Sequence, residues 1–415
     1  MLHEQHVSIV NDNLHSEMLL TFISDLSRHA AIYANDFDFE SYIEPFVMKL
    51  KNTTQDWRMA QSLSFLTDYQ SPIEDADLED LTQFGELEAF KLGVDIGTRY
   101  RKISTPKKVW ASTAERTVVT AQSFISGIAR KPNDTQLVQI YEGDEAGANS
   151  LTPYSSCPAY SSSAGSKQSA PFITSYTAPI IARFNTIAPA FNFTQADIVG
   201  MFELCGYETV IRGSSPFCDL SVFSPDEWLA FEYGNDLMYH YNTGYGSPVA
   251  GAIGFPWVNA TMSLLSSTAN STQNNQDLFV SFTHRELPPT VLVALGLFNN
   301  SAFSGANNPN ATMPNSTINY HRAWKTSNFL QFLTNIAIEK MRCNSYGYAA
   351  GEYYRVLVNS APQGLDTCAD GPGTSCSSAR MTAFVGERAA MFGDYSQACQ
   401  VDYGNSTDVL SIYTQ

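Results

Sequence analysis

Leu278-Phe279-Val280-Ser281-Phe282-Thr283 is an almost unbroken apolar run, followed by His284-Arg285-Glu286 and then by Leu287-Pro288-Pro289 ahead of a Thr-Val-Leu-Val-Ala-Leu stretch. Such a run predicts a strand buried on both faces, and prolines leading an apolar segment predict the first turn of a packed helix. The run at 19–23 predicts an opening strand. Helical spacing follows at 38–66 and at 80–103, with Asp80 placed to cap the second helix. Residues 107–110 and 136–141 read as strands flanking a helix at 113–128, and further strands are predicted at 333–341 and 353–358. Between them, from Gly143, the chain turns to Ser, Gly and Pro loops joining helices such as 194–205 and 225–241. The Asn- and Ser-rich stretch 299–316 reads as a loop. Strand alternating with helix predicts an α/β fold with a mostly parallel sheet flanked by helices. Its expected parts are an α/β domain from 1–142 and 276–415, and a smaller, mainly α-helical insertion at 143–275.

The pattern puts His284 and Glu286 at the carboxyl end of a strand and beside a helix N-terminus, where open α/β sheets bind ligands and where anions are favoured. One imidazole and one carboxylate there suggest an anion contact and a proton donor. A net charge of −17 argues against a nucleic-acid partner, which would need clustered Lys and Arg. Neither a membrane span of about 20 apolar residues nor a metal-ligand spacing of His and Cys occurs, so no metal or other cofactor is expected. His240 and His321 are assigned no role. Nine Asn-x-Ser/Thr sites, at Asn52, Asn133, Asn192, Asn259, Asn270, Asn299, Asn310, Asn315 and Asn405, point to a secreted glycoprotein. Of seven cysteines, Cys205 with Cys218 and Cys368 with Cys376 could each close a small loop, which implies an oxidising compartment.

Several segments then occur in one order. Arg28-His29-Ala30-Ala31-Ile32-Tyr33-Ala34 is followed by Glu79-Asp80-Leu81-Thr82-Gln83-Phe84-Gly85-Glu86 and by Val109-Trp110-Ala111-Ser112-Thr113-Ala114-Glu115-Arg116. Glu145-Ala146-Gly147-Ala148-Asn149-Ser150, Ser156-Cys157-Pro158-Ala159, Ser215-Pro216-Phe217-Cys218 and Tyr233-Gly234-Asn235-Asp236-Leu237 come next. His284-Arg285-Glu286 and the Cys368–Cys376 segment close the series. The ordered set resembles the histidine acid phosphatases, most of all their fungal secreted acid phosphatase and phytase branch. The family opens with Arg-His-Gly-x-Arg-x-Pro. Here Arg28 and His29 match, while Gly, the second Arg and Pro are replaced by Ala30, Ile32 and Ala34. A Cβ at position 30 could block an unusual backbone angle or a close phosphate approach. The loss at position 32 removes a charge-assisted phosphate contact.

The resemblance implies a phosphomonoesterase, with phytate among the substrates open to it, working through a phosphohistidine. It implies His29 as nucleophile, Arg28, Arg116 and His284 as phosphate-binding groups, and a Cys157–Cys399 disulfide. Most fungal relatives carry Asp directly after the His; here that position is Arg285, and Glu286 stands one further on, as in the inositol polyphosphate phosphatase branch. Glu286 is therefore the expected acid, then the base that activates water, while Arg285 either adds a phosphate contact or points to solvent, the latter being the favoured reading. Cys343 is left without a partner. The run 19–23 is shorter than a secretory apolar core of about 7–15 residues, and the degraded signature lies close by. Residues 1 to about 35 are accordingly expected not to be the family's native N-terminus. Two alternatives stay open: an impaired family member that only binds phosphate or serves as a secreted glycoprotein, and a glycosidase using Glu286 and Asp144.

Overall fold

The computed structural model describes residues 18–131, 133–143, 145–266, 276–300, 312–344 and 347–414. Asp144, Asn270, Asn310 and most of the 299–316 segment lie outside them. The sheet has strands β1 (Met18–Arg28), β2 (Lys108–Ser112), β3 (Gln136–Ile140), β4 (Leu278–Thr283), β5 (Asn335–Cys343), β6 (Gly351–Val358), β7 (Ala361–Gln363) and β8 (Cys376–Ser377). Their order is β3-β2-β4-β1-β5-β6-β7, with β8 beside β6. The pairings from β3 to β1 are parallel and those beyond β1 antiparallel, so the sheet is mixed rather than mostly parallel.

Both faces of the central strands are covered, which explains why they read as continuous apolar runs. Val109, Ala111, Val280 and Phe282 pack on one face under helices α2 (Gln83–Arg99) and α3 (Glu115–Ile128). Trp110 and Phe279 alternate to the other face, where α7 (Ala250–Ser266), α8 (Leu287–Leu295) and α9 (Ser378–Phe392) lie. The strand β1 runs well past the apolar stretch 19–23, because its later polar groups are satisfied internally. Ser24 Oγ pairs with Thr261 Oγ1 at 3.0 Å and Ser27 donates to Asp25 at 2.8 Å. Residues 18–28 are thus the centre of the sheet, and of the first 35 residues only 1–17 fall outside the described ones.

A second apolar core joins Phe39, Phe46, Trp57 and Leu63 to residues of α4 (Ser166–Ile187) and α5 (Gln195–Arg212), such as Phe184 and Phe202. It therefore draws on the N-terminal third as well as on 143–275, while α7 belongs to the sheet core. The predicted helix at 38–66 is several pieces: a π turn at Phe39–Ile43, α1 (Glu44–Asn52) and a 3-10 run at Gln61–Asp68. The α2 cap is Thr82, whose hydroxyl accepts from Gly85 N at 2.9 Å, rather than Asp80. The helix predicted at 225–241 is α6 (Pro225–Asn242), capped by Ser224. Disulfides join Cys157–Cys399, Cys205–Cys218 and Cys368–Cys376, and Cys343 is free and buried. Among the described residues no helix is long and apolar enough to cross a membrane.

Candidate functional site

Parallel pairing of β1, β4 and β2 brings their carboxyl ends together, and the side chains just beyond those ends make the site. His29 continues the ladder past β1: its N–H donates to Thr283 O at 2.9 Å, and Leu333 N donates to its carbonyl at 3.2 Å. The ring is 3% exposed and lies edge-on to His284, 5.8 Å between centroids. Its Nδ1 is 2.9 Å from Ala30 O. A carbonyl oxygen only accepts, so Nδ1 carries the proton and Nε2 of the neutral ring keeps its lone pair. Burial, then the charges of Arg28, His284 and Arg116, push the His29 pKa well below 6.5, which keeps the ring neutral in mild acid.

Ala30 is accommodated without strain. It is not among the residues with positive φ, and its N–H donates to Thr120 Oγ1 at 3.0 Å. The loop behind it is braced by α2, where Thr82 N donates to Ala31 O at 2.9 Å. Ile32 is 3% exposed and contributes an apolar wall to the site.

Arg28 lies over the Phe332 ring at 4.3 Å, and its Nε is buried without a hydrogen-bond partner among the described residues. Burial first, and then the nearby Arg285, lower its pKa to about 10, so it stays cationic. Arg116, in the first turn of α3, donates from Nε to His284 Nδ1 at 3.1 Å and pairs on its other edge with Glu79. On its other side His284 Nε2 faces Glu142, 3.2 Å from both carboxylate oxygens. Burial alone would raise the Glu142 pKa, but the His284 contact and the Ala114 N–H outweigh it and hold the carboxyl at about 2.

Glu286 stands at the entrance to α8 and accepts from Arg285 Nε at 3.0 Å. Burial raises its carboxyl, yet the charges of Arg285 and His284 prevail and keep it below its ordinary value. Of the two readings of Arg285, the structure does not bear out the favoured one, a side chain pointing to solvent. Its side chain turns inward and lines, with Glu286, both a small cavity of about 50 Å³ and a larger one of about 410 Å³. The small cavity also holds Arg28, His29, Ile32, Arg116 and His284. Every residue singled out from the sequence for this site therefore meets there. The large cavity opens beyond Arg285 and Glu286, with Tyr42, Tyr160, Tyr176, Phe231 and Tyr239 among its walls.

Sequence reasoning missed Glu142 and gave Glu79 no role. Glu142 lies two residues beyond β3, and the strand-end rule that located His284 would have found it. Glu79 lay in a quoted segment, but its reach depends on a positive φ of 66°, which a sequence does not display.

Residues 20–359 match the model of the histidine phosphatase superfamily (branch 2). The acid phosphatase PHO1 of Komagataella pastoris is 32% identical over 328 residues, which cover 76% of this chain and 66% of that protein. The phytase PHO112 of Candida albicans is 30% identical over 393 residues, covering 91% and 80% respectively. The crystal structure of the phytase from D. castellii superimposes with a TM-score of 0.85 at 25% identity, over 96% of this chain and 84% of that one. The match begins inside β1, so residues 20–35 fall within the matched span, with Ala30, Ile32 and Ala34 departing from the family's opening signature. With its signature histidines and arginines gathered at the strand ends, the chain belongs to the histidine phosphatase superfamily, branch 2.

Proposed function

We propose that this chain is a secreted acid phosphatase that hydrolyses phosphomonoesters through a phosphohistidine. The observation that carries the reading is the pinned His29 tautomer, whose free Nε2 shares a cavity with three arginines. His29 Nε2 attacks phosphorus as the ester P–O bond breaks. Arg28, Arg116 and His284 hold the nonbridging oxygens, whose charge is the main thing a phosphoryl-transfer site must stabilise. Glu286 delivers its proton to the leaving oxygen. The same carboxylate then takes a proton from water as the water oxygen attacks phosphorus and the N–P bond breaks. Glu142 is a positioning residue that holds the His284 ring through Nε2.

An entering phosphate dianion raises the Glu286 pKa by like-charge repulsion and readies the carboxyl for its acid role. Activity should accordingly decline as pH rises and Glu286 ionises, while His29 remains neutral on the acid side. The large cavity is suited to the leaving group. Three disulfides, with exposed sequon asparagines at 52, 133, 192, 315 and 405, support a secreted glycoprotein. The apolar Ile32 favours a second reading, a family member that binds phosphate without turning it over.

Phosphate release from an aryl phosphate, scanned over roughly pH 3–7, tests the proposal. The wild-type chain should release phosphate with an acid optimum, and His29→Ala should abolish release while leaving the fold intact. A folded wild-type protein that releases none would leave the impaired reading standing.

A further inference from the structure

We propose that Arg285 is a third phosphate-binding guanidinium, supplying from the end of β4 the charge that position 32 on the β1 loop lacks. The inference rests on reading the small cavity as a phosphate site. A phosphoryl group in transfer presents three equatorial oxygens, and Arg is the side chain best able to meet them in pairs. The guanidiniums already there are partly committed. Arg116 spends one edge on Glu79 and its Nε on His284. Arg28 is tied to Leu330 O and lies over Phe332. The loop after His29 then offers Ile32, which brings no donor.

Arg285 is differently placed. It follows His284 directly, so the β1–β4 pairing that sets His284 beside His29 also fixes the Arg285 backbone near the phosphate cavity. Its side chain is 29% exposed and lines both cavities, and it is the one Lys or Arg in the lining of the larger. Only Nε is engaged, on Glu286, so the Nη edge has no hydrogen-bond partner among the described residues. A guanidinium held this way can donate from Nη to a phosphate oxygen with little reorganisation, since its stem and Nε are already fixed.

This position also ties binding to acid chemistry. The Arg285 charge lowers the Glu286 pKa and so favours the ionised carboxylate. Once a phosphate oxygen shares that charge, the carboxylate loses part of its stabilisation and takes up the proton it must deliver. Arg285 would thus contribute twice, by holding the anion and by releasing its neighbour.

The test measures inorganic phosphate binding by calorimetry at about pH 5, within the acid range set by Glu286, together with kcat/KM for an aryl phosphate. The proteins are wild type, Arg285→Ala, Arg285→Lys and the pair Arg285→Ala with Ile32→Arg. Loss of one charge-assisted contact should weaken phosphate binding by roughly 10–100-fold in Arg285→Ala, with kcat/KM falling at least as far. Lys should recover part of the loss, and Ile32→Arg should recover binding in the Arg285→Ala background. The alkaline limb of the kcat/KM profile of Arg285→Ala should move to higher pH, a displacement that a merely structural role would not produce.

Phosphate bound by folded Arg285→Ala as tightly as by wild type overturns the inference, and so does a loss that neither Lys nor Ile32→Arg restores. If Arg285→Ala fails to fold, Arg285→Gln against Arg285→Lys makes the same comparison at nearly constant volume. Binding is read without turnover, so the two proposals separate. Arg285-dependent binding without hydrolysis rejects only the enzyme reading, hydrolysis with Arg285-independent binding rejects only this one, and a wild type that neither binds nor hydrolyses rejects both.

Discussion

Asp25 is a carboxyl in the middle of the central strand, 3% exposed, paired across the sheet with Val280 and Ala337. Burial raises its pKa to about 7 against the opposing pull of Ser27 and, more remotely, Arg99. The folded state therefore holds this proton more tightly than the unfolded chain, whose Asp titrates near 4. Its contribution to stability is fully present below about pH 4 and is lost as pH rises towards and through 7. The shift corresponds to a loss on the order of 4 kcal/mol. Urea unfolding at pH 5 and pH 8 should show wild type weakening across the interval, and Asp25→Asn should remove most of that slope. Equal slopes in the two proteins would mean that Asp25 does not hold its proton in the fold. A carboxyl of this kind suits a protein that works in acid, the range in which Glu286 can carry its proton.

At the scale of elements, the nucleophile loop is set by helix–loop contact. A Cβ built on Gly85 in α2 would stand 2.3 Å from Ala31 O, so α2 packs on the backbone two residues beyond His29. Gly85→Ala must push that loop or the helix away. A displacement near 1 Å at reacting atoms can cost on the order of 100-fold in rate, and kcat should fall while the overall fold persists. Gly206 in α5 is the control, because nothing lies within 4 Å of its built Cβ. There Ala should raise stability by about 0.5–1 kcal/mol and leave kcat unchanged. Thermal melting and steady-state kinetics on both variants check the pair, and unaltered kcat in Gly85→Ala would show that the loop is not braced by α2.

Element type was legible where periodicity was uninterrupted, as in β4, α3 and β6, and was hidden where polar or proline residues break the pattern. Ser24, Asp25 and Ser27 concealed the second half of β1. Pro171 and Pro179 inside α4, and Pro256 inside α7, concealed two long helices. The site was legible as a set of residues because parallel strands deliver their carboxyl ends to one place. The direction of Arg285 was not, since adjacent positions at a strand end differ only in side-chain orientation.

Charge at the scale of the whole molecule bears on substrate choice. The chain carries a formal −17, and among the described residues the large cavity sets Asp38 and Glu286 against a single cation, Arg285, while burial raises the Glu203 pKa well above the ordinary carboxylate value and favours its neutral form. Its other walls include aromatic rings, Ile173, Val199 and Met238, Ser162, Ser163, Ser166 and amide groups. Such a cavity can pack a ring or a hydroxyl-bearing leaving group, but among the described residues it has no further cation for a second or third phosphate on the same molecule. Inositol hexakisphosphate would also approach against the field of the whole protein, and that field is screened by salt within about 10 Å at 0.1 M. At low ionic strength kcat/KM for a simple aryl phosphate should exceed that for inositol hexakisphosphate. Added salt should narrow the gap by raising the rate with the polyanion, and Asp38→Lys should narrow it without salt. A polyanion hydrolysed at least as well as the aryl ester at low salt would show that the carboxyls of the cavity do not govern access, and would move the preferred substrate to multiply phosphorylated polyols.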